Sequence, residues 1–170
     1  EFKADFRGDV LLPGDGGYNE VRQIWNATID RRPALIARCT SPEDVVQAVK
    51  LARKQNLLVS IRGGGHNIAG NAVCDDGLMI DLALMKGVQV DPNARRATVE
   101  PGCTLGEFDA APQAHGLATP LGINSTTGVA GLTLGGGFGW LSRKYGMTID
   151  NLLSADVVTA DSSQVHASET

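Results

Sequence analysis

The stretch Ile61-Arg62-Gly63-Gly64-Gly65-His66-Asn67-Ile68-Ala69-Gly70 decides how the rest of the chain is read. The apolar run Leu57-Leu58-Val59-Ser60-Ile61 is a strand that leads straight into three consecutive glycines. Without Cβ atoms, such a run can turn several backbone N–H groups toward one point, forming a nest for an anion, typically phosphate. A plain surface turn explains a lone glycine triplet equally well. A second stretch tips the balance: Thr126-Thr127-Gly128-Val129-Ala130-Gly131-Leu132-Thr133-Leu134-Gly135-Gly136-Gly137-Phe138-Gly139. Small residues at this density allow the backbone to approach a flat ligand, or another chain segment, closely. Two such loops in 170 residues point to a large phosphate-bearing ligand clasped from two sides.

Two common phosphate motifs are excluded. No Gly-Lys-Ser/Thr follows either loop, so neither is a P-loop. The dinucleotide fingerprint also fails: Gly63-x-Gly65 needs a glycine where Ile68 stands, and Gly135-x-Gly137 needs one where Trp140 stands. Residue types and spacing stop at an anionic ligand held by backbone amides.

Upstream of the first loop, the turn cluster Pro13-Gly14-Asp15-Gly16-Gly17 precedes Tyr18, Val21, Ile24, Trp25 and Thr28 at helical spacing. That predicts a helix ended by Arg31-Arg32-Pro33, then a short buried strand over Ala34-Leu35-Ile36-Ala37. The next helix is better marked. Ser41 caps it, Pro42 suits its first position, and Asp44 stands three residues after the cap. Val45, Val46, Ala48, Val49 and Ala52 form its apolar face, and Lys50, Arg53 and Lys54 gather toward its C-terminal end. Strand, helix and strand in that order predict a parallel pair with a crossover helix.

Downstream the pattern changes to short strands, Leu78–Leu82, Val88–Val90 and Ala97–Glu100, with turns such as Asp91-Pro92-Asn93. A helix over about 104–113 follows, with Pro112 near its end, and 155–160 reads as a further strand. The expected class is α+β in two α/β lobes, residues 1–87 and 88–170, without internal repeats.

Composition sets bounds around this reading. Glycine is the outlier, at 21 residues against a usual share of about 7%. A net charge of -4 with no basic stripe argues against nucleic acid. No apolar run approaches the roughly 20 residues that cross a bilayer. Cys39, Cys74 and Cys103 are scattered and odd in number, which fits neither a disulfide framework nor a zinc site. A reducing cytoplasm is the expected compartment; an extracellular protein with few cysteines is the alternative. Trp25 and Trp140 read as core anchors, Cys74 and Cys103 as packing residues. His115 suits the end of its helix, and His166 faces solvent.

The motifs together resemble a known family. Arg62-Gly63-Gly64-Gly65-His66-Asn67 is similar to the pyrophosphate loop of the vanillyl-alcohol-oxidase superfamily of FAD enzymes (PCMH-type FAD-binding domains). Thr119-Pro120-Leu121-Gly122, the run from Gly128 to Gly139, and Tyr145-Gly146-Met147-Thr148-Ile149-Asp150-Asn151-Leu152 follow in the family's order. The likeness covers the chain from about Arg32 onward, and its nearest branch is the berberine-bridge-like oxidases. It implies a PCMH-type FAD-binding domain whose second lobe is incomplete, with the substrate domain absent.

It also implies roles. Gly63, Gly64, Gly65 and Asn67 would donate backbone N–H groups to the FAD pyrophosphate, with Arg62 and Gly70 completing that loop. Gly122, Thr126, Thr127, Gly128, Gly131, Leu132, Gly135 and Gly136 would line the isoalloxazine and ribityl chain. His66 would carry the flavin covalently through its 8α carbon, a bond that a neutral imidazole is competent to make. Asn124 stands where some relatives place a second, cysteine attachment, so one covalent bond is expected. The implied activity is hydride transfer to FAD from an alcohol, amine or sugar carbon. The isolated chain is expected to hold FAD weakly and turn over little. The rival readings are a non-catalytic flavin-binding scaffold and an FAD domain that needs a separate substrate subunit.

Overall fold

A computed structural model of the chain describes residues 6–169. A four-stranded sheet carries the first half: β1 (Asp9–Leu11), β2 (Leu35–Arg38), β3 (Val59–Arg62) and β4 (Leu78–Asp81), in the order β1-β2-β4-β3. β1 is antiparallel to β2, and β4 is parallel to both β2 and β3. The helix α2 (Pro42–Gln55) does link two parallel strands, β2 and β3, but they are not neighbours: β4 lies between them. The reason lies in β4 itself. Leu78, Met79, Ile80 and Asp81 are all buried, and a strand apolar on both faces belongs in the middle of a covered sheet. Leu78 and Ile80 pack with Ala37 against Ala48 and Ala52 of α2. Met79 faces the other way, with Ile36, onto Tyr18, Ile24 and Val73.

The C-terminal ends of the three parallel strands are pinned by charge. Asp81 is fully buried, with Arg38 Nε at 3.2 Å on one side and Arg62 Nη1 at 3.8 Å on the other. Strand register places Arg38 and Arg62 opposite Asp81. The mouth of the glycine loop is thereby fixed at the edge of the sheet, where ligands of parallel sheets commonly bind.

The start of α2 follows its sequence signal. Ser41 accepts from the Asp44 N–H at 3.3 Å, and Pro42 is the first helical residue. Asp44 does more than favour the dipole. It is 1% exposed, and its carboxylate takes the N–H groups of Arg7 (2.8 Å) and Thr40 (2.9 Å) and the Thr40 hydroxyl (2.8 Å). Burial pushes its pKa up, but these hydrogen bonds outweigh burial and hold it below the ordinary 3.8. Its stabilising contribution is thus complete above the ordinary aspartate range and lost as pH falls through the lowered value. Asp44→Ala is expected to cost about 3 kcal/mol at pH 7, because buried N–H groups lose their acceptor. Denaturant titrations of both proteins check this, and the gap should narrow as pH falls below the ordinary aspartate range.

The first helix is shorter than its periodicity predicts. α1 spans only Tyr18–Val21, and the chain then leaves helical geometry. Arg62 Nη1 caps the Val21 carbonyl, and the Trp25 N–H goes to Gly65 O at 3.0 Å instead of continuing a helix. Tertiary hydrogen bonds from Arg62 and the glycine loop end the helix ten residues before its sequence stop signal at Arg31-Arg32-Pro33.

In the second half, β5 (Val88–Asp91) and β6 (Arg96–Val99) form an antiparallel hairpin. Asp91 accepts the N–H groups of Asn93 and Ala94 in its turn. α3 (Leu105–Gln113) opens with a capping box between Thr104 and Glu107. Leu105 and Phe108 bury against Cys103, Leu121 and Val129. The glycine-rich stretch, read from sequence as a loop, contains two short helices, α4 (Val129–Leu134) and α5 (Ser142–Tyr145). β7 (Ser154–Val158) pairs antiparallel with β8 (Gln164–Ser168), where His166 is exposed beside Asp156 at 2.8 Å. All three cysteines are free and buried, Cys74 and Cys103 as their packing role predicts. Trp25 and Trp140 are not core residues: they are 60% and 86% exposed.

Candidate functional site

β3 delivers the chain into the glycine loop at Arg62. The guanidinium of Arg62 turns back toward Asp81 and Val21, so its side chain braces the sheet and α1. At Gly63 and Gly64, just beyond it, the chain has no room for a side chain. A Cβ on Gly64 would lie 2.4 Å from the Gly128 nitrogen and 2.5 Å from its Cα, and a Cβ on Gly128 would meet Gly64 equally closely. The two glycine stretches therefore touch backbone to backbone. Of the two uses that dense glycine allows, close approach to another chain segment is realised here.

Gly65 has φ +72°, a left-handed conformation open to glycine. Among the described residues, the N–H groups of 63–67 donate to no other group of the chain. They form a row of donors beside the junction of the two loops, and such a row accepts an anion. Asn67 shapes the next turn, its Oδ1 taking the Asn71 N–H at 3.0 Å and its carbonyl the Gly70 N–H at 3.1 Å. Gly70 is buried against Ile29, behind the loop, where its carbonyl accepts from Arg31 Nη1 at 2.9 Å.

His66 stands at the junction. Its Nε2 is 3.1 Å from Thr126 Oγ1, and its Nδ1 is 3.5 Å from Thr127 Oγ1. The Trp25 indole stacks on the ring, with centroids 5.4 Å apart and planes 22° from parallel. Burial pushes the imidazole pKa below the ordinary 6.5, against an opposing pull from the Thr126 backbone, so the ring is neutral at pH 7. The sequence pattern around Trp25 gave no sign of this contact, because stacking across 41 residues leaves no local periodicity. Asn124, singled out from the sequence only as a position without cysteine, has a turn-forming role that the sequence reading missed. Its Oδ1 takes both the N–H (3.1 Å) and the hydroxyl (3.0 Å) of Thr126, a turn that the run Asn124-Ser125-Thr126-Thr127 could have signalled.

Next to Thr127 opens a groove of about 340 Å³. Gly122, Asn124, Thr127, Gly131, Leu132 and Gly135 line it, together with Ile123, Gly137 and Phe138. Gly136 lies beside it under Met147, with Thr126 and Gly128 at its His66 end. Apart from Gly70 and the Arg62 side chain, the sequence-predicted residues thus come together as two adjoining features: a row of amide donors and a glycine-walled groove, with His66 between them. Size, open floor and donor row suit a flat ring system carrying a phosphate. His115 lies outside this region, exposed past the end of α3.

Comparisons with known proteins identify the family and the fold. A family described as "FAD binding domain" matches residues 33–168. (R)-6-hydroxynicotine oxidase of Paenarthrobacter nicotinovorans is 38% identical over 163 residues, covering 96% of this chain and 36% of that protein. The solved structure of BBE-like 1 from Physcomitrella patens superposes with a TM-score of 0.93 at 30% identity, over 99% of this chain and 38% of that one. Xylooligosaccharide oxidase from Myceliophthora thermophila gives 0.92 at 32% identity, over 99% of this chain and 36% of that one. The chain spans about a third of the length of the proteins it matches. From just before β2 to the last hairpin, it belongs to the FAD binding domain family, as the FAD-binding portion of berberine-bridge-like oxidases.

Proposed function

We propose that this chain holds the FAD of an oxidoreductase that removes a hydride from a carbon bearing oxygen or nitrogen, with the flavin bonded to His66. One observation carries the reading: a neutral histidine lies between a row of unpartnered amide donors and a glycine-walled groove. In this reading the N–H groups of residues 63–67 bind the pyrophosphate, and Gly131 and Gly135 let the flavin ring lie against α4. FAD, when bound, supplies the redox chemistry by accepting the hydride. The substrate class is read from relatives whose names record oxidation of a hydroxynicotine and of xylooligosaccharides. Ile123 and Phe138 on the rim of the groove are 65% and 71% exposed, so these residues alone grip a flavin ring loosely. The division near Gly87 and a cytoplasmic location belong to the same proposal.

Mass spectrometry of flavin peptides tests the attachment, in wild type and His66→Ala. An FAD-sized addition on the His66 peptide alone, absent from the variant, is expected; flavin bridged to any cysteine overturns the single bond. The variant should still bind FAD reversibly, since its amide donors remain. The attachment rate should follow the neutral imidazole. It should fall as pH drops through the lowered His66 value and stay flat from pH 7 upward.

A further inference from the structure

We propose that Asn124 and Thr126 form a two-link relay that places the single proton of neutral His66 on Nε2 and leaves the Nδ1 lone pair free. The inference rests on reading His66 as the flavin attachment point and names the residues that prepare it. The Oδ1 of Asn124 receives the backbone N–H of Thr126 at 3.1 Å. A backbone amide only donates, so the Asn124 atom facing it is the carbonyl oxygen and not the amide nitrogen. The same oxygen lies 3.0 Å from Thr126 Oγ1, and an amide carbonyl has no proton to offer. The Thr126 hydroxyl must therefore donate there. Having one proton, it can then only accept from His66 Nε2, 3.1 Å away, which makes Nε2 the N–H nitrogen.

The other ring nitrogen meets a more distant hydroxyl. Thr127 Oγ1 is 3.5 Å from Nδ1, at the outer limit of a hydrogen bond, and its hydroxyl can donate to the lone pair or give way to a ligand. Thr127 also lines the groove, so Nδ1 is the nitrogen on that side. Trp25 covers one face of the ring and is itself tied to the loop through its N–H to Gly65 O at 3.0 Å. Stacking keeps the ring plane fixed, so the edge carrying Nε2 stays on the relay. Asn124 and Thr126 act through His66, as positioning residues. Such second partners commonly decide which imidazole nitrogen is available.

The test is ¹⁵N NMR of the 170-residue chain without flavin at pH 8, where the nitrogen shifts report the tautomer of His66. Wild type is expected to show the proton on Nε2, and Thr126→Ser to retain it. Asn124→Ala frees the Thr126 hydroxyl to donate to Nε2, so the Nδ1–H share should rise severalfold; Thr126→Val should give a mixture of tautomers. A wild-type proton on Nδ1, or an unchanged ratio in both Asn124→Ala and Thr126→Val, overturns the relay. Rates of FAD attachment in the same variants supply the second readout, with Thr126→Ser expected to rescue what Thr126→Val slows. The two claims fail separately. No flavin on His66 in wild type sinks the attachment reading whatever the NMR shows, and flavin on His66 with an unresponsive tautomer sinks the relay alone.

Discussion

Gly64→Val is expected to destabilise the chain by more than about 4 kcal/mol, with or without flavin, because its first side-chain atom has no place to go. The Cβ would lie 2.4 Å from the Gly128 nitrogen, and the obstacle is backbone, which no rotamer change can move. Relief requires the glycine loop and the N-terminus of α4 to part. That would also break the neighbouring bonds of Val129 N–H to Cys103 O (2.9 Å) and Leu105 N–H to Thr127 O (2.8 Å). Gly128→Val should behave alike, since its Cβ would come 2.4 Å from the Gly64 nitrogen. Once one substitution has separated the segments, the second has less left to break. The double variant should therefore cost clearly less than the sum of the two. Chemical denaturation of the four proteins measures this. A Gly64→Val chain with the wild-type midpoint would show that the two loops do not touch as described. Glycine at 64 is needed by the chain's own packing, so loss of flavin in this variant would not by itself report on pyrophosphate binding.

That distinction marks where the sequence was legible and where it was not. The start of α2 was readable because Ser41, Pro42 and Asp44 are local signals for a local event, and the capping box of α3 is of the same kind. The two glycine stretches were recognisable as site-forming because few other uses need so many residues without Cβ atoms. Their contact with each other was not, since Gly64 and Gly128 are brought together by the fold and nothing in either stretch names its partner. The same limit explains β4. Its apolar run announced a strand, but its place between β2 and β3 depends on burial on both faces, which a run of four residues leaves open. Trp25 and Trp140 were misread because large aromatics are usually buried; here one stacks on His66 and both stand exposed. α4 was hidden by its own Gly131, a residue that ordinarily weakens a helix.

Gly131 in turn gives the sharpest test of the groove. Gly131→Leu is expected to keep the fold and lose the flavin. A glycine within a helix costs about 0.5–1 kcal/mol relative to alanine, so its presence calls for a reason. The chain supplies none. A Cβ at this position would have no neighbour within 4 Å, and the backbone is ordinary helix without a positive φ. Gly64 excludes a side chain by what the chain puts there, whereas Gly131 leaves a space that only something outside the chain can fill. That space is the wall of the groove of about 340 Å³, shared with Gly122 and Gly135. Gly131→Ala should therefore raise stability by about 0.5–1 kcal/mol while weakening flavin binding. Gly131→Leu, reaching further into the groove, should weaken binding by about a hundredfold or more, ~2.7 kcal/mol, with a denaturation midpoint no lower than wild type. FAD fluorescence quenching in a His66→Ala background, where binding is reversible, measures the affinity, and denaturant titration of the flavin-free proteins measures the fold. A leucine variant that binds FAD as wild type does would remove the flavin ring from α4, and a variant that unfolds would show that the open space beside Gly131 is not there.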